Sequence, residues 1–179
     1  MEQKTLLLFC CLLLLPSTVL ARLGETEREN QVRYGEPLKD DHSSPLLNNT
    51  VNKTYHYQGW KIRVGYINGH AVRIAYSKLP KANESQFLKD DEIAAVMEAE
   101  THGGRWTKLK SGSLLFPRGK SGNTLYDTAP LRWSNTNKSI AYCATGRFVL
   151  FIEAPDAAIW EQALENEKEV KRRASIPKF

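Results

Sequence analysis

The chain has 179 residues, and its 25 Lys and Arg against 20 Asp and Glu give a formal charge of +5. That balance is too mild to mark a nucleic-acid binder, though it favours contact with an anionic surface. Cys10 and Cys11 lie in the first apolar run and Cys143 stands alone in the remainder, which excludes an internal disulfide once that run is removed.

Residues 1–21 read as a secretory signal peptide. Lys4 supplies the positive start, Leu6–Leu15 the apolar stretch, and Val19-Leu20-Ala21 the small-residue cleavage site. The run is shorter than the about 20 apolar residues that a membrane span takes, and no later stretch comes close. Both early cysteines sit inside the run rather than after it, so no lipid-bearing cysteine is expected. The expected product starts at Arg22, is secreted or periplasmic, and folds as one α+β domain over 22–179.

Within it, Thr26 followed by Glu29 predicts a capping box, opening a short helix that Gly35 and Pro37 close. Residues 38–54 are polar, contain a proline, and read as a mobile connection. A first strand is expected at Tyr55–Gln58. Residues 59–78 then read as a β-hairpin, apolar at Trp60, Ile62, Val64 and Tyr66 and again at Val72, Ile74 and Tyr76. A three-residue turn, Ile67-Asn68-Gly69, pairs Val64 with Val72 and puts both apolar sets on one face. Lys78–Asn83 is a linker.

A second helix is predicted at Asp90–Glu100, with Leu88 and Ile93 as a hydrophobic staple and Ile93, Val96 and Met97 as the buried stripe. Asp90, Asp91 and Glu92 crowd its first turn, where carboxylates favour the helix dipole. Gly103-Gly104 ends the helix, and Trp106 opens a strand through Lys110. Ser111–Pro130 reads as a long loop with a short strand at Leu114–Phe116. Strands follow at Leu131–Thr136, Ser139–Ala144 and Arg147–Ala154. The last helix, Asp156–Arg173, carries Ile159, Trp160, Ala163 and Leu164 on one face and i,i+4 ion pairs on the other. The expected fold is an antiparallel sheet, or two small ones, with helices packed on one face. The order helix then strands recurs, so half-units at 22–80 and 85–174, a degenerate tandem repeat, stay open beside the single domain.

Arg22-Leu23-Gly24-Glu25-Thr26 with Arg33-Tyr34-Gly35-x-Pro37, together with LKDDEIAAVMEAETHGGRWTK and SIAYCATGRFVLFIEAP, resembles a group of uncharacterised secreted bacterial proteins. More distantly, the short helix ending in Gly-x-Pro before an aromatic meander looks like the small outer-membrane assembly lipoproteins of the SmpA/OmlA (BamE) family. A tandem version looks like the β-lactamase inhibitor proteins. The resemblance implies a non-enzymatic protein-binding module; this chain departs from the lipoproteins in lacking an acylated N-terminal cysteine.

Catalytic motifs are absent from the sequence. Gly112 and Gly119-Lys120-Ser121 brush against a phosphate-binding loop, but the spacing is too long and no helix follows. His42, His56, His70 and His102 are scattered without metal-ligand spacing, so neither metal nor cofactor is expected. Cys143 sits in an apolar stretch and reads as buried, a cysteine hydrolase being the weaker alternative. One candidate binding surface interleaves basic and aromatic residues: Trp106, Lys108, Lys110, Phe116, Arg118 and Lys120, a pattern suited to an anionic envelope polymer. Lys168, Lys171, Arg172 and Arg173 form a basic helix end that is favourable without a partner. Of Trp60, Trp106, Trp133 and Trp160, at least two are expected in the core. Asn48, Asn52, Asn83 and Asn137 open glycosylation sequons. The expected function is a non-enzymatic protein-binding or scaffold module with a protein partner in the envelope or medium, the alternative a polymer binder.

Overall fold

The computed structural model describes residues 22–39, 41, 43–48, 50–101, 103–109, 129 and 131–176. The expected signal peptide and almost all of the expected 111–130 loop, with its expected strand, lie outside the described residues. Helix α1 (Glu27–Tyr34) leads to a meander of β1 (Val51–Tyr57), β2 (Trp60–Ile67) and β3 (His70–Lys78). Helix α2 (Asp90–Ala99) precedes β4 (Trp106–Lys108), β5 (Leu131–Asn135), β6 (Ile140–Ala144) and β7 (Val149–Glu153), and α3 (Ala157–Ala174) closes the order. The seven described strands join one antiparallel sheet in the order β1-β2-β3-β7-β6-β5-β4. The fold is α+β.

Local chemistry explains each element. In α1 the Thr26 N–H donates to Glu29 Oε2 at 2.7 Å and the Glu29 N–H to Thr26 Oγ1 at 3.3 Å, completing the predicted box. Gly35, at φ 86°, then leaves the helix while its N–H still donates to Gln31 O. In α2 Lys89 has no acceptor to offer, so the cap rests on Glu92 receiving the Lys89 N–H at 2.7 Å and on the staple of buried Leu88 and Ile93. That helix stops at Ala99, before the glycine pair expected to end it.

The central hairpin departs from its expected register. Asn68 and Gly69 form a two-residue turn with positive φ at both, the geometry that matches strand twist, and Ile67 pairs with His70 and Tyr66 with Ala71. The expected pairing of Val64 with Val72 is not made. Between Tyr66–Ala71 and Gly65–Arg73 the register shifts, so Val72 is an extra residue, a β-bulge. Val64 therefore faces Ile74 and Ile62 faces Tyr76. The two apolar sets still share a face, and only Val72 leaves it.

That face carries the larger core. Tyr55, Ile62, Val64, Ile74, Tyr76, Cys143, Leu150 and Ile152 pack there with Tyr34 of α1 and with Ile93, Val96 and Met97 of α2. Each fully buried aliphatic side chain contributes on the order of 2 kcal/mol. The opposite face holds a smaller cluster of Leu47, Ile67, Val72 and Ala157, joined by Leu164. Thus α1 and α2 cover one face as expected, whereas α3, expected to share that face, docks through its N-terminal half on the other, where Ala157 and Leu164 meet Leu47 and the bulged Val72.

The 38–54 stretch was expected to be a mobile connection. Its last residues instead belong to β1, which starts at Val51, and Leu46 and Leu47 are buried. The Asn52 amide clamps them: Oδ1 accepts from the Leu46 and Leu47 N–H groups at 2.8 and 2.9 Å, and Nδ2 donates to Leu47 O at 2.8 Å. Leu47 then fills the notch left by the missing side chain of Gly65. The strap is docked.

Candidate interaction surface

The sequence places a candidate surface around residues 106–120, and the described part of it is largely structural. The Trp106 ring N–H donates to Met97 O at 2.7 Å, so this indole braces the last turn of α2 against β4. Lys108 is exposed beside it, opposite Trp133 in the ladder. Lys110, Phe116, Arg118 and Lys120 lie outside the described residues. Trp60, Trp106 and Trp133 all pack at the rim of the larger core, and Trp160 on α3 is 39% exposed. The basic end of α3 is satisfied along its own helix: Lys171 pairs with Glu167 at 2.6 Å, and Arg172 and Arg173 with Glu169. Hydrogen bonds from Arg172 and Arg173 hold the Glu169 carboxyl down at about 2.

A second surface, absent from the sequence reading, is assembled from two separate segments. Leu88 is buried, and its N–H donates to Arg147 O at 3.0 Å. That bond lays the 87–88 segment along the turn between β6 and β7. In the turn, Gly146 and Arg147 both take positive φ, 64° and 78°, a conformation that costs a non-glycine residue on the order of 1 kcal/mol. The result turns Phe148 outward instead of extending β7 to Arg147. Phe87 and Phe148 are 40% and 44% exposed, with ring centroids 5.9 Å apart and planes at 86°. The Arg147 guanidinium lies 5.2 Å from the centre of the Phe87 ring and pairs with Asp90 at the start of α2. Edge-to-face packing and the cation–π contact each add about 1 kcal/mol or less. Together they fix two half-exposed rings in place before any partner arrives.

The catalytic candidates separate. Cys143 is buried on the larger core face, and burial pushes its thiol up to about 11, the nearby Arg147 offsetting only part of that. A thiol so placed is mostly protonated at neutral pH and is a poor nucleophile. We expect native protein to leave Cys143 unmodified over an hour in excess iodoacetamide, with full labelling in denaturant. Rapid native labelling would return the cysteine to consideration as a nucleophile. His56 is exposed, whereas the His70 ring is 2.9 Å from Gly24 O; His42 and His102 lie outside the described residues. Among the described residues no three His, Cys, Asp or Glu side chains gather as metal ligands. No helix among them is long and apolar enough to cross a membrane.

Two carboxylates that the sequence does not single out are 1% exposed. Glu100 Oε1 accepts from the Tyr76 hydroxyl at 2.8 Å and its Oε2 from the Leu23 N–H at 3.3 Å. Glu153 Oε1 accepts from the Tyr142 hydroxyl at 2.8 Å and lies 2.9 Å from Arg73 Nε. Both are sealed in the interior. Comparison with protein-family models, with characterised proteins and with solved structures finds no match to this chain.

Proposed function

We propose that the protein is a non-enzymatic protein-binding or scaffold module, exported after cleavage near Ala21, whose contact surface centres on Phe87, Phe148 and Arg147. The observation that carries this reading is the paired phenylalanines held edge to face under an arginine. Aromatic and Arg side chains dominate binding energy where they sit preorganised at an interface, and here the order is supplied by the fold itself. The buried thiol of Cys143 and the sealed carboxylates of Glu100 and Glu153 are in keeping with a non-catalytic role.

The test is a crosslinked pull-down of the processed protein from its host's envelope fraction and medium, at low and at high salt. One protein partner retained at high salt is expected. The double variant Phe87→Ala, Phe148→Ser should weaken that capture by about 30-fold or more, the scale of a hot-spot loss. Stability should fall by about 2–4 kcal/mol as the partly buried rings and their contacts are lost, so capture is compared at a temperature where circular dichroism shows both proteins folded. Undiminished capture by the double variant would remove this surface from the proposal. Polymer retained at low salt alone would favour the second reading, in which exposed Lys108, with Lys110, Arg118 and Lys120, meets an anionic envelope polymer.

A further inference from the structure

The first residues after the expected cleavage site are not a loose end. Leu23 N–H reaches the buried Glu100 carboxylate, the Gly24 N–H donates to Ala71 O at 2.7 Å, and the Ala71 N–H returns to Glu25 O at 2.8 Å. Residues 24–26 thus extend the sheet along the start of β3, with Thr26 bridged to His70. At the head of this segment the chain turns back: Glu25 N–H donates to Arg22 O at 3.2 Å, and Glu25 Oε2 lies 3.3 Å from Arg22 N. The same carboxylate, 14% exposed, is held from the other side by the Arg33 guanidinium of α1.

We propose that cleavage before Arg22 creates a structural cation: the freed α-ammonium pairs with Glu25 and locks the N-terminal segment over Glu100. The inference rests on the reading that the chain is exported and cut after Ala21. A signal peptidase hydrolyses the Ala21–Arg22 peptide bond with one water, leaving a carboxylate on Ala21 and an ammonium on Arg22. Before the cut, Arg22 N offers Glu25 one neutral amide hydrogen, a bond assisted only by the carboxylate's charge; afterwards it offers three donors and a full positive charge, which turns the contact into an ion pair. The charged and titratable groups around this position are the Arg22 guanidinium itself, Glu25, Arg33, Glu100 and, across the segment, His70. Arg33 opposes the new cation, but the carboxylate lies between the two. Processing therefore completes the fold's N-terminal closure as well as removing the leader.

The experiment expresses the full chain with its own leader in a secreting bacterial host and purifies the processed product. Intact mass reads the first residue; a product that starts elsewhere, or an uncut chain, overturns the export reading and this inference with it. With Arg22 first, the acylation rate of the α-amine is followed against pH by mass spectrometry of the N-terminal peptide. We expect half-protonation above the ordinary range of about 7.7–8.0, and acylation at pH 7.5 at least about threefold slower than in Glu25→Gln. An unshifted amine in the wild type overturns the lock while leaving the export reading standing. A second measurement does not depend on the variant's folding. Because the ammonium is favoured in the folded state, its contribution is present below the unfolded amine's pKa and fades as pH rises through the folded one. The processed protein should then melt higher than its α-acetylated form at pH 7, and equally by pH 10. Equal melting at pH 7 counts against the lock.

Discussion

Replacing Arg73 by Met should destabilise the protein by about 3–5 kcal/mol, because it strips a buried carboxylate of its charge partner. Arg73 is 4% exposed on β3 and Glu153 1% exposed on β7, paired directly across the ladder. The guanidinium also donates from Nη1 to Leu46 O at 2.9 Å, so one side chain ties the central strand pair to the strap. Equilibrium urea unfolding reads the loss as a lower midpoint. Adding Glu153→Gln to the Arg73→Met variant should recover more than half of it, since a neutral amide no longer needs a cation and the Tyr142 hydroxyl can still bond it. A loss under about 1 kcal/mol in the single variant would mean that the carboxylate finds another partner when Arg73 is gone, and the charge argument would fail.

The strap over the opposite face should show a comparable loss. Leu47 is fully buried in the notch at Gly65, and Leu47→Ala should cost about 2–4 kcal/mol in transfer and cavity terms. A Cβ built on Gly65 would come within 2.7 Å of Leu47 Cδ1 and 2.9 Å of its Cγ. Gly65→Ala alone should therefore cost about 1–3 kcal/mol by overpacking. The double variant should cost less than the sum, because the alanine Cβ occupies space that the truncated Leu47 vacates. A double-mutant cycle by urea unfolding measures this coupling. Strict additivity would show that the two residues do not share that space in solution.

Much of the architecture could be read from residue types and spacing. Thr26 with Glu29, and Gly35 before Pro37, mark α1 because each residue answers a local need of a helix end. Strands are expected at 131–136, 139–144 and, from its apolar run, 147–154, and the structure keeps each one, trimmed at its ends to 131–135, 140–144 and 149–153. The hairpin was harder. Alternation alone showed that Ile62, Val64, Ile74 and Tyr76 must share a face, but two register solutions meet that demand. The structure takes a tight Asn68-Gly69 turn plus a bulge at Val72 rather than a longer turn. Nothing local to the turn reports that Val72 has Leu47 and Ala157 waiting on the other side.

Distance in the chain hid the rest. Leu46 and Leu47 stand in a polar stretch, and their burial depends on Asn52 and on a glycine 18 positions away. Adjacent leucines after Pro45 were the only cue. The Phe87–Phe148 pair joins two segments far apart in sequence, and Phe148 reads as the start of a strand until the left-handed Gly146-Arg147 step turns it out. The 106–120 pattern looked like a surface because basic and aromatic residues alternate. An indole N–H that bonds a helix carbonyl cannot be told from one that awaits a ligand until the helix is in view.

The strand order also bears on how the chain assembles as it folds. Strand β3 is an interior strand of the sheet, yet its neighbour β7, the middle strand, comes more than seventy residues later in the chain. The β1–β3 meander can close early through local pairings. Until residues 149–153 dock, however, the outer edge of β3 carries unsatisfied N–H and C=O groups from Arg73 to Tyr76. An open, apolar edge of that kind is the form in which nascent chains add to one another. The 24–26 segment, already made by then, blocks only the first positions of that edge, at His70 and Ala71. The interval before β7 docks is when the chain is most open to such addition, so Ile152→Pro, which hinders the pairing of Ile74 with Ile152, should raise the aggregated fraction on refolding.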